Sequence, residues 1–470
     1  MTTTGIQAQN GIARSYRRRA GDDTYSCAVT SRMRTAAVGL GIGLALADSS
    51  VVTLALPDIL RQFDVEIPEV AWVLTSYNLW LALAAVPAAY VARRRPVPAF
   101  VAGTLVFAVA SLACAVAPSF GVLVAARCVQ ALGGALLVCA ALDLLTSVRG
   151  SEPGAVRIWA LAGIVGAALG PAIGGILTET LGWESIFFAQ APLALLTLAG
   201  VVGLRVRPTV RPAGRPNVPA NLALLLLSGA LTAALFLLVL LLVDGWHMDP
   251  AVAGVVVTVM PVAAIVTASF AARLGTTATR AATGVVLVTG GLAALGVLPG
   301  SAWWWTVPPQ ALVGAGLGLA LSALTERALH GRSPQAVHGG WTIAARHAGV
   351  VVGLLLLTPV FTTALDRNEE RALRAGAAAV LDSGIPPLEK LAVAQDVLAI
   401  VRASDREVPD VREAFADRPD TPEYRSLEDV LVSQLDRAVT AAFSRPFLLA
   451  ALLAAAALVP ILVSRRAVSV

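Results

Sequence analysis

Apolar residues fall into long runs separated by short breaks, each about the roughly 20 residues a helix needs to cross a bilayer core. Twelve such runs are read, at 35–57, 70–92, 97–117, 120–146, 155–178, 186–205, 220–243, 251–273, 281–300, 304–326, 340–364 and 443–464. Runs this continuous satisfy their backbone in lipid only as helices. The expected fold is therefore all-α and membrane-integral, with twelve transmembrane helices.

The polar breaks carry their own pattern. Arginines crowd the N-terminal tail, the breaks at Arg93–Arg95, Arg149–Arg157, Arg205–Arg215, Arg273–Arg280 and Arg327–Arg332, and the C-terminal end at Arg465 and Arg466. The intervening short loops hold only Arg61. Basic residues stay on the cytoplasmic side of a membrane, so both termini are expected there, in a multi-pass protein of the plasma membrane. The first thirty-odd residues lack an apolar core before a cleavage site, so no cleaved signal peptide is expected.

Composition agrees with lipid as the main solvent: 57% of residues are hydrophobic and 14% charged, and mean hydropathy is +0.76. So few charges cannot coat a water-soluble surface. The net charge of +5 lies in loops and tails, which argues for a membrane surface and against nucleic acid as partner. The four cysteines, three of them inside apolar runs, form neither a disulfide framework nor a CxxC metal pattern. No metal and no cofactor is expected, and no catalytic residues. Nothing matches the phosphate-cradling P-loop through which ATP would be used.

Residues 366–442, between the last two runs, break the pattern with 16 acidic and 10 basic residues. Ser426 and Asp429 read as a capping box before the apolar face of Leu427, Val430, Leu431 and Leu435. Pro386-Pro387 and the pair Pro419 and Pro422 read as breaks between helices. A small helical extracytoplasmic cap is expected. It is either a passive enlargement of a loop or a surface for an envelope partner.

The linker Arg205–Pro219, rich in arginine and proline, splits the spans six and six. Such halves pack as pseudo-symmetric bundles around a central site and rock for alternating access. The partition is a cytoplasmic tail 1–34, an N-terminal bundle 35–205, a linker 206–219, spans seven to eleven at 220–364, the insertion 365–442, span twelve at 443–464, and a tail 465–470.

An ionisable side chain near the middle of a membrane helix costs on the order of 3 kcal/mol, and so is a candidate functional residue. Asp48, just beyond the middle of the first run, and Arg127, inside the fourth, lie at similar depth. Opposite charges at one depth are expected to pair. Burial disfavours the charged form of a carboxylate and a nearby arginine favours it, which makes a proton-coupling site; a static ion pair that fixes packing is the alternative. Glu326 and Arg346, placed near the cytoplasmic ends of spans ten and eleven, form a candidate inner gate or an interfacial ion pair. Tyr77, Asn78, Gln130 and Gln310 are candidate cavity-lining groups for a small-molecule substrate. His347 is a candidate titrating group or a polar packing residue.

Gly166, Gly170 and Gly174 recur every four residues in the fifth run, with Pro171 and Gly175 interleaved. Small residues so spaced form a flat ridge against which another helix can come close. From Gly166 to Gly175 the run resembles the fifth-helix antiporter motif of the drug:proton antiporter branch of the major facilitator superfamily. The resemblance continues through Gly182-Trp183 to Pro192. It also covers Asp48 to Pro57, Trp72 to Tyr77, Arg127-Cys-Val-Gln130, Gly314-Ala-Gly316-Leu-Gly318 and Arg346-His-Ala-Gly349.

The chain departs from the family pattern in places. Ala131 stands where glycine follows the glutamine, and the loop before Arg93–Arg95 lacks the usual aspartate. Twelve spans replace the fourteen usual for these motifs, and the insertion is additional.

The resemblance implies two six-helix bundles in the major facilitator fold. It implies proton-coupled export of small amphipathic or hydrophobic molecules, drug-like or lipid-like. Asp48 would carry the proton, Arg127 would be its partner, and the ridge would stop leakage. An importer or facilitator of a polar solute, or a receptor or scaffold acting through the cap, are the alternative readings.

Overall fold

The computed structural model describes residues 30–208, 212–403, 411–416, 418–419 and 421–466. Every regular element among them is a helix. The first half comprises α1 (Thr30–Thr53), α2 (Leu56–Phe63), α3 (Ile67–Ala92), α4 (Pro96–Ala115), α5 (Phe120–Arg149), α6 (Glu152–Leu181) and α7 (Glu184–Leu196). The second comprises α8 (Val218–Leu240), α9 (Pro250–Val257), α10 (Val259–Phe270), α11 (Thr277–Leu295), α12 (Val307–Leu329), α13 (Gln335–Asp382), α14 (Pro387–Ala403), α15 (Pro422–Ala456) and α16 (Leu458–Arg466).

Among the described residues eleven helical segments are long and apolar enough to cross a membrane. The sixth expected run is the shorter apolar helix Glu184–Gly200. It tightens into a 3₁₀ turn after Leu196, and Gly203, at φ 67°, turns the chain towards the linker.

Proline sets the internal breaks. Pro57 opens α2 directly after the first span. Pro261 lacks the N–H that would bond Val257, and the eighth span is divided into α9 and α10 at Thr258. Pro460 acts likewise on Ala456, where α15 ends and α16 begins.

Within the first half α4 packs on α5 and α7, and α3 on α5; within the second, α11 and α10 pack on α12. The halves meet along two seams, α6 against α9 and α10, and α13 against α3 and α5. Close approach at the second seam needs glycine: a Cβ on Gly340 of α13 would stand 2.9 Å from the Ala85 carbonyl oxygen of α3.

The insertion continues the bundle's own helices. α13 runs unbroken for 48 residues, roughly 70 Å at 1.5 Å per residue, and α15 for 35 residues. With α14 and the turn Val411–Phe415 they enclose a separate apolar core that includes Val380, Ile385, Val393, Phe415, Tyr424, Leu427 and Leu431. The start expected at Ser426 lies inside α15, which begins at Pro422 after Thr421. Proline at the first helical position needs no N–H partner and has its φ preset, so it wins over the weaker Ser–Asp signal. Leu431→Asp should open this core, since a buried charge is poorly tolerated. Limited proteolysis is expected to cut within 383–421 at least tenfold faster, with the membrane bundle still resistant.

Candidate functional site

Four helices converge on one buried carboxylate. Asp48 of α1 forms an ion pair with Arg127 of α5, through Oδ2 and Nη1, and both side chains are fully buried. Its other oxygen, Oδ1, accepts from Gln190 Nε2 of α7 at 2.9 Å and from Gln130 Nε2 at 3.4 Å. Arg127 and Gln130 stand three residues apart on one face of α5, so Arg127 Nη1 also donates to Gln130 Oε1 at 2.7 Å. Gln130 in turn donates to Ser111 Oγ of α4 at 2.9 Å and to Gln190 Oε1 at 2.8 Å.

The guanidinium is held on its remaining sides. Nε donates to the Val73 carbonyl at 3.1 Å, and the group lies over the Tyr77 ring at 4.4 Å and the Phe187 ring at 5.6 Å. Buried charges survive when paired and hydrogen-bonded, and this pair is both. Arg127 Nη2 alone is buried without an acceptor.

Beside this network lies a cavity of about 170 Å³, lined from both halves by α1, α3, α6, α8, α10, α12 and α13. Ser49, Ser50 and Thr53 line it directly after Asp48, which itself sits behind the wall. Asn78 lines it too; its Nδ2 donates to Ser49 Oγ at 2.9 Å, and its Oδ1 lies 2.7 Å from His347 Nδ1 on α13. A polar string thus runs from the second half, across the cavity wall, to the neighbour of the buried acid.

Of the other cavity candidates, Tyr77 faces Arg127 and donates to the Ala45 carbonyl at 2.8 Å. Gln130 belongs to the carboxylate network. Gln310, at the start of α12, is buried and bonds Thr306 Oγ1 at 3.0 Å. These three are absent from the cavity wall.

Glu326 and Arg346 do not meet. Glu326 Oε2 pairs with Arg280 Nη2 at 3.0 Å, between neighbouring ends of α12 and α11. Because α13 begins at Gln335, Arg346 lies roughly 16 Å along it and lines the cavity instead.

The glycine ridge lies where backbones touch. A Cβ on Gly166 would strike the Gly43 carbonyl of α1, one on Gly170 the Ser50 hydroxyl, and one on Gly174 the Val51 carbonyl. Gly175 looks the other way, across the seam: its Cβ would lie 2.5 Å from the Pro250 carbonyl oxygen of α9. Gly254 of α9 answers, 2.8 Å from the Pro171 carbonyl oxygen. At the end of this seam Glu179 Oε2 of α6 accepts from the Ala251 N–H of α9 at 2.8 Å.

Sequence reasoning assigned no role to Gln190 and Ser111. Gln190 is an amide inside the apolar stretch Ile186–Pro192, and its cost in lipid was the available signal.

Residues 38–354 match the sequence model of the Major Facilitator Superfamily. The multidrug resistance protein Stp of Mycobacterium tuberculosis is 35% identical over 176 residues, 36% of this chain and 32% of that protein. The tetracenomycin C resistance and export protein of Streptomyces glaucescens is 34% identical over 45% of this chain and 39% of its own length. The methylenomycin A resistance protein of Streptomyces coelicolor is 31% identical over 49% of each. The chain thus spans between about a third and half the length of these relatives. A crystal structure of a bacterial homolog to the human lysosomal transporter Spinster, inward-facing and unoccupied, superposes with a TM-score of 0.61 at 14% identity, covering 92% of this chain and 98% of that one.

Proposed function

The chain belongs to the Major Facilitator Superfamily, and from that premise we propose that it is a proton-coupled exporter of small amphipathic or hydrophobic molecules, working by alternating access. The observation that carries the reading is the Asp48–Arg127 pair, fully buried and one residue removed from a cavity between the halves. The names of the relatives, resistance and export proteins, favour export over import. In this reading both termini and the arginine-rich loops face the cytoplasm, the insertion faces outward, and residues 35–205 rock against the second half about the linker 206–219.

A proton arriving from outside binds an Asp48 oxygen, and the acid loses its charge. Arg127 then retains only the Gln130 oxygen and the Val73 carbonyl as acceptors. The same event weakens the hold on Gln190 and, through Ser49, on the Asn78–His347 contact that joins the halves. Substrate leaves outward and the protein turns inward. The proton passes to the cytoplasm, the ion pair re-forms, and the cavity takes new substrate. Every step is a proton transfer or a repacking, with no covalent chemistry.

The test is movement of a fluorescent amphiphile in proteoliposomes under an imposed pH gradient. Transport should follow the gradient and stop when an ionophore collapses it; transport indifferent to that collapse defeats the reading. Arg127 supplies a second check. Arg127→Ala leaves the acid without a countercharge in a site where an unpaired charge is not sustained, and substrate-evoked proton flux should fall at least tenfold. Arg127→Lys keeps a charge but loses the forked geometry, so an intermediate rate is expected. Equal, wild-type-like flux in both variants would remove Arg127 from the mechanism.

A further inference from the structure

The cavity wall contains a guanidinium and no carboxylate. Arg346 of α13 lines it, as do Leu231, Leu235, Leu317 and Leu321. Among the described residues Arg346 enters no ion pair, and its Nε is buried with no hydrogen-bond partner. Its neighbour His347 is committed to Asn78.

The contrast with two other arginines, Arg127 and Arg280, both buried, is informative. Arg127 is closed by Asp48, Gln130 and the Val73 carbonyl, and Arg280 pairs with Glu326. Each does what a structural arginine does, which is to consume a carboxylate or a carbonyl. Arg346, half-buried in the cavity wall, consumes none among the described residues. A guanidinium that lines a cavity without a protein carboxylate beside it is one whose acceptor can come from outside the protein.

We infer that Arg346 is the recognition point for an anionic group on the substrate, so that the exported molecules are amphipathic acids. A carboxylate, or another oxyanion of similar shape, would pair with the Nη edge of the guanidinium, since Nε is buried. The apolar body would lie against the leucines of α8 and α12. On α1, the Ser50 and Thr53 hydroxyls, which also line the cavity, already donate to the backbone carbonyls of Ala47 and Ser49. They therefore offer acceptor oxygens to any hydroxyl or amide on the substrate. The separation of tasks follows from geometry: Arg127 and Asp48, behind the wall, handle the proton, and Arg346, in the wall, handles the anion. The inference rests on the export reading for its meaning, since it names the substrate class of the same cavity.

The test uses two probes of nearly equal shape, 2-naphthylacetate and 2-naphthylacetamide, and the full chain in lipid nanodiscs. Equilibrium binding, read by calorimetry at pH 7, is compared for wild type, Arg346→Gln and Arg346→Lys. Wild type should bind the acid at least tenfold more tightly than the amide. Arg346→Gln should weaken the acid at least tenfold while changing the amide less than twofold, and Arg346→Lys should restore part of the preference. Retained amide binding shows that the variant cavity is folded.

Acid and amide bound alike by wild type, including no detectable binding of either, would overturn the inference, as would an equal loss of both in Arg346→Gln. No gradient is present, so the outcome is separable from coupling. An acid preference without gradient-driven transport counts against export alone. Intact coupling without an acid preference counts against the anion site alone.

Discussion

Asp48→Asn is expected to abolish substrate-evoked proton movement while leaving the protein folded and inserted. The substitution preserves shape and removes the carboxylate of the buried cluster, the group proposed to carry the proton. Breaking a buried ion pair from one side costs about 3–5 kcal/mol when the other charge is abandoned. Here it is not abandoned: Arg127 keeps the Gln130 oxygen at 2.7 Å and the Val73 carbonyl at 3.1 Å, and the asparagine oxygen can replace one carboxylate oxygen. The penalty should therefore fall well short of that range, and detergent-extracted variant should elute as wild type does. The measurement is fluorescence of a pH dye sealed in proteoliposomes on addition of substrate. A fall of at least tenfold in the evoked signal, with substrate binding retained, is the expected result. An unchanged signal would mean that the proton travels elsewhere and that the pair is a packing device.

That pair could be read from sequence because depth is nearly one-dimensional. Counting along two helices places Asp48 and Arg127 at one level, and in lipid opposite charges at one level have little choice of partner. Rotation about the helix axis was much harder to read. Tyr77 and Asn78 are adjacent, yet one faces Arg127 and the other the cavity, because successive side chains on a helix diverge by about 100°. Where the span is apolar all round, no polar stripe distinguishes the cavity face from the lipid face. Gln190 escaped notice for the same reason, since its role depends on α1, α4, α5 and α7 meeting at one point.

Depth is misread where a helix begins before its apolar run does, as α13 does at Gln335. Placing the start of the eleventh span at residue 340 put Arg346 near the surface, whereas a helix beginning at Gln335 carries it into the chamber. Glu326, expected opposite it, had a closer cation in Arg280.

The two faces of the glycine ridge should fail in different ways, and the difference separates packing from gating. Gly174→Val forces a branched side chain into the Val51 carbonyl of α1, within one half. Overpacking of this kind costs typically about 1–3 kcal/mol, so the melting temperature should drop and transport should fall with it, at least tenfold. Gly39→Ala is the control on α1 itself, because nothing lies within 4 Å of the added carbon; it should be neutral or slightly stabilising through better helix propensity. Gly175→Ala acts on the seam between halves, where the added carbon meets the Pro250 carbonyl of α9 at 2.5 Å. The bundles can yield there by moving apart, so its melting temperature should change little. The cost appears instead as incomplete closure beside the Glu179–Ala251 contact, and proteoliposomes should leak protons without substrate several-fold faster than wild type. Were Gly174→Val and Gly175→Ala to lower stability equally and leak equally little, the ridge would be one uniform packing surface. The seam that α6 makes with α9 would then play no part in keeping the membrane tight.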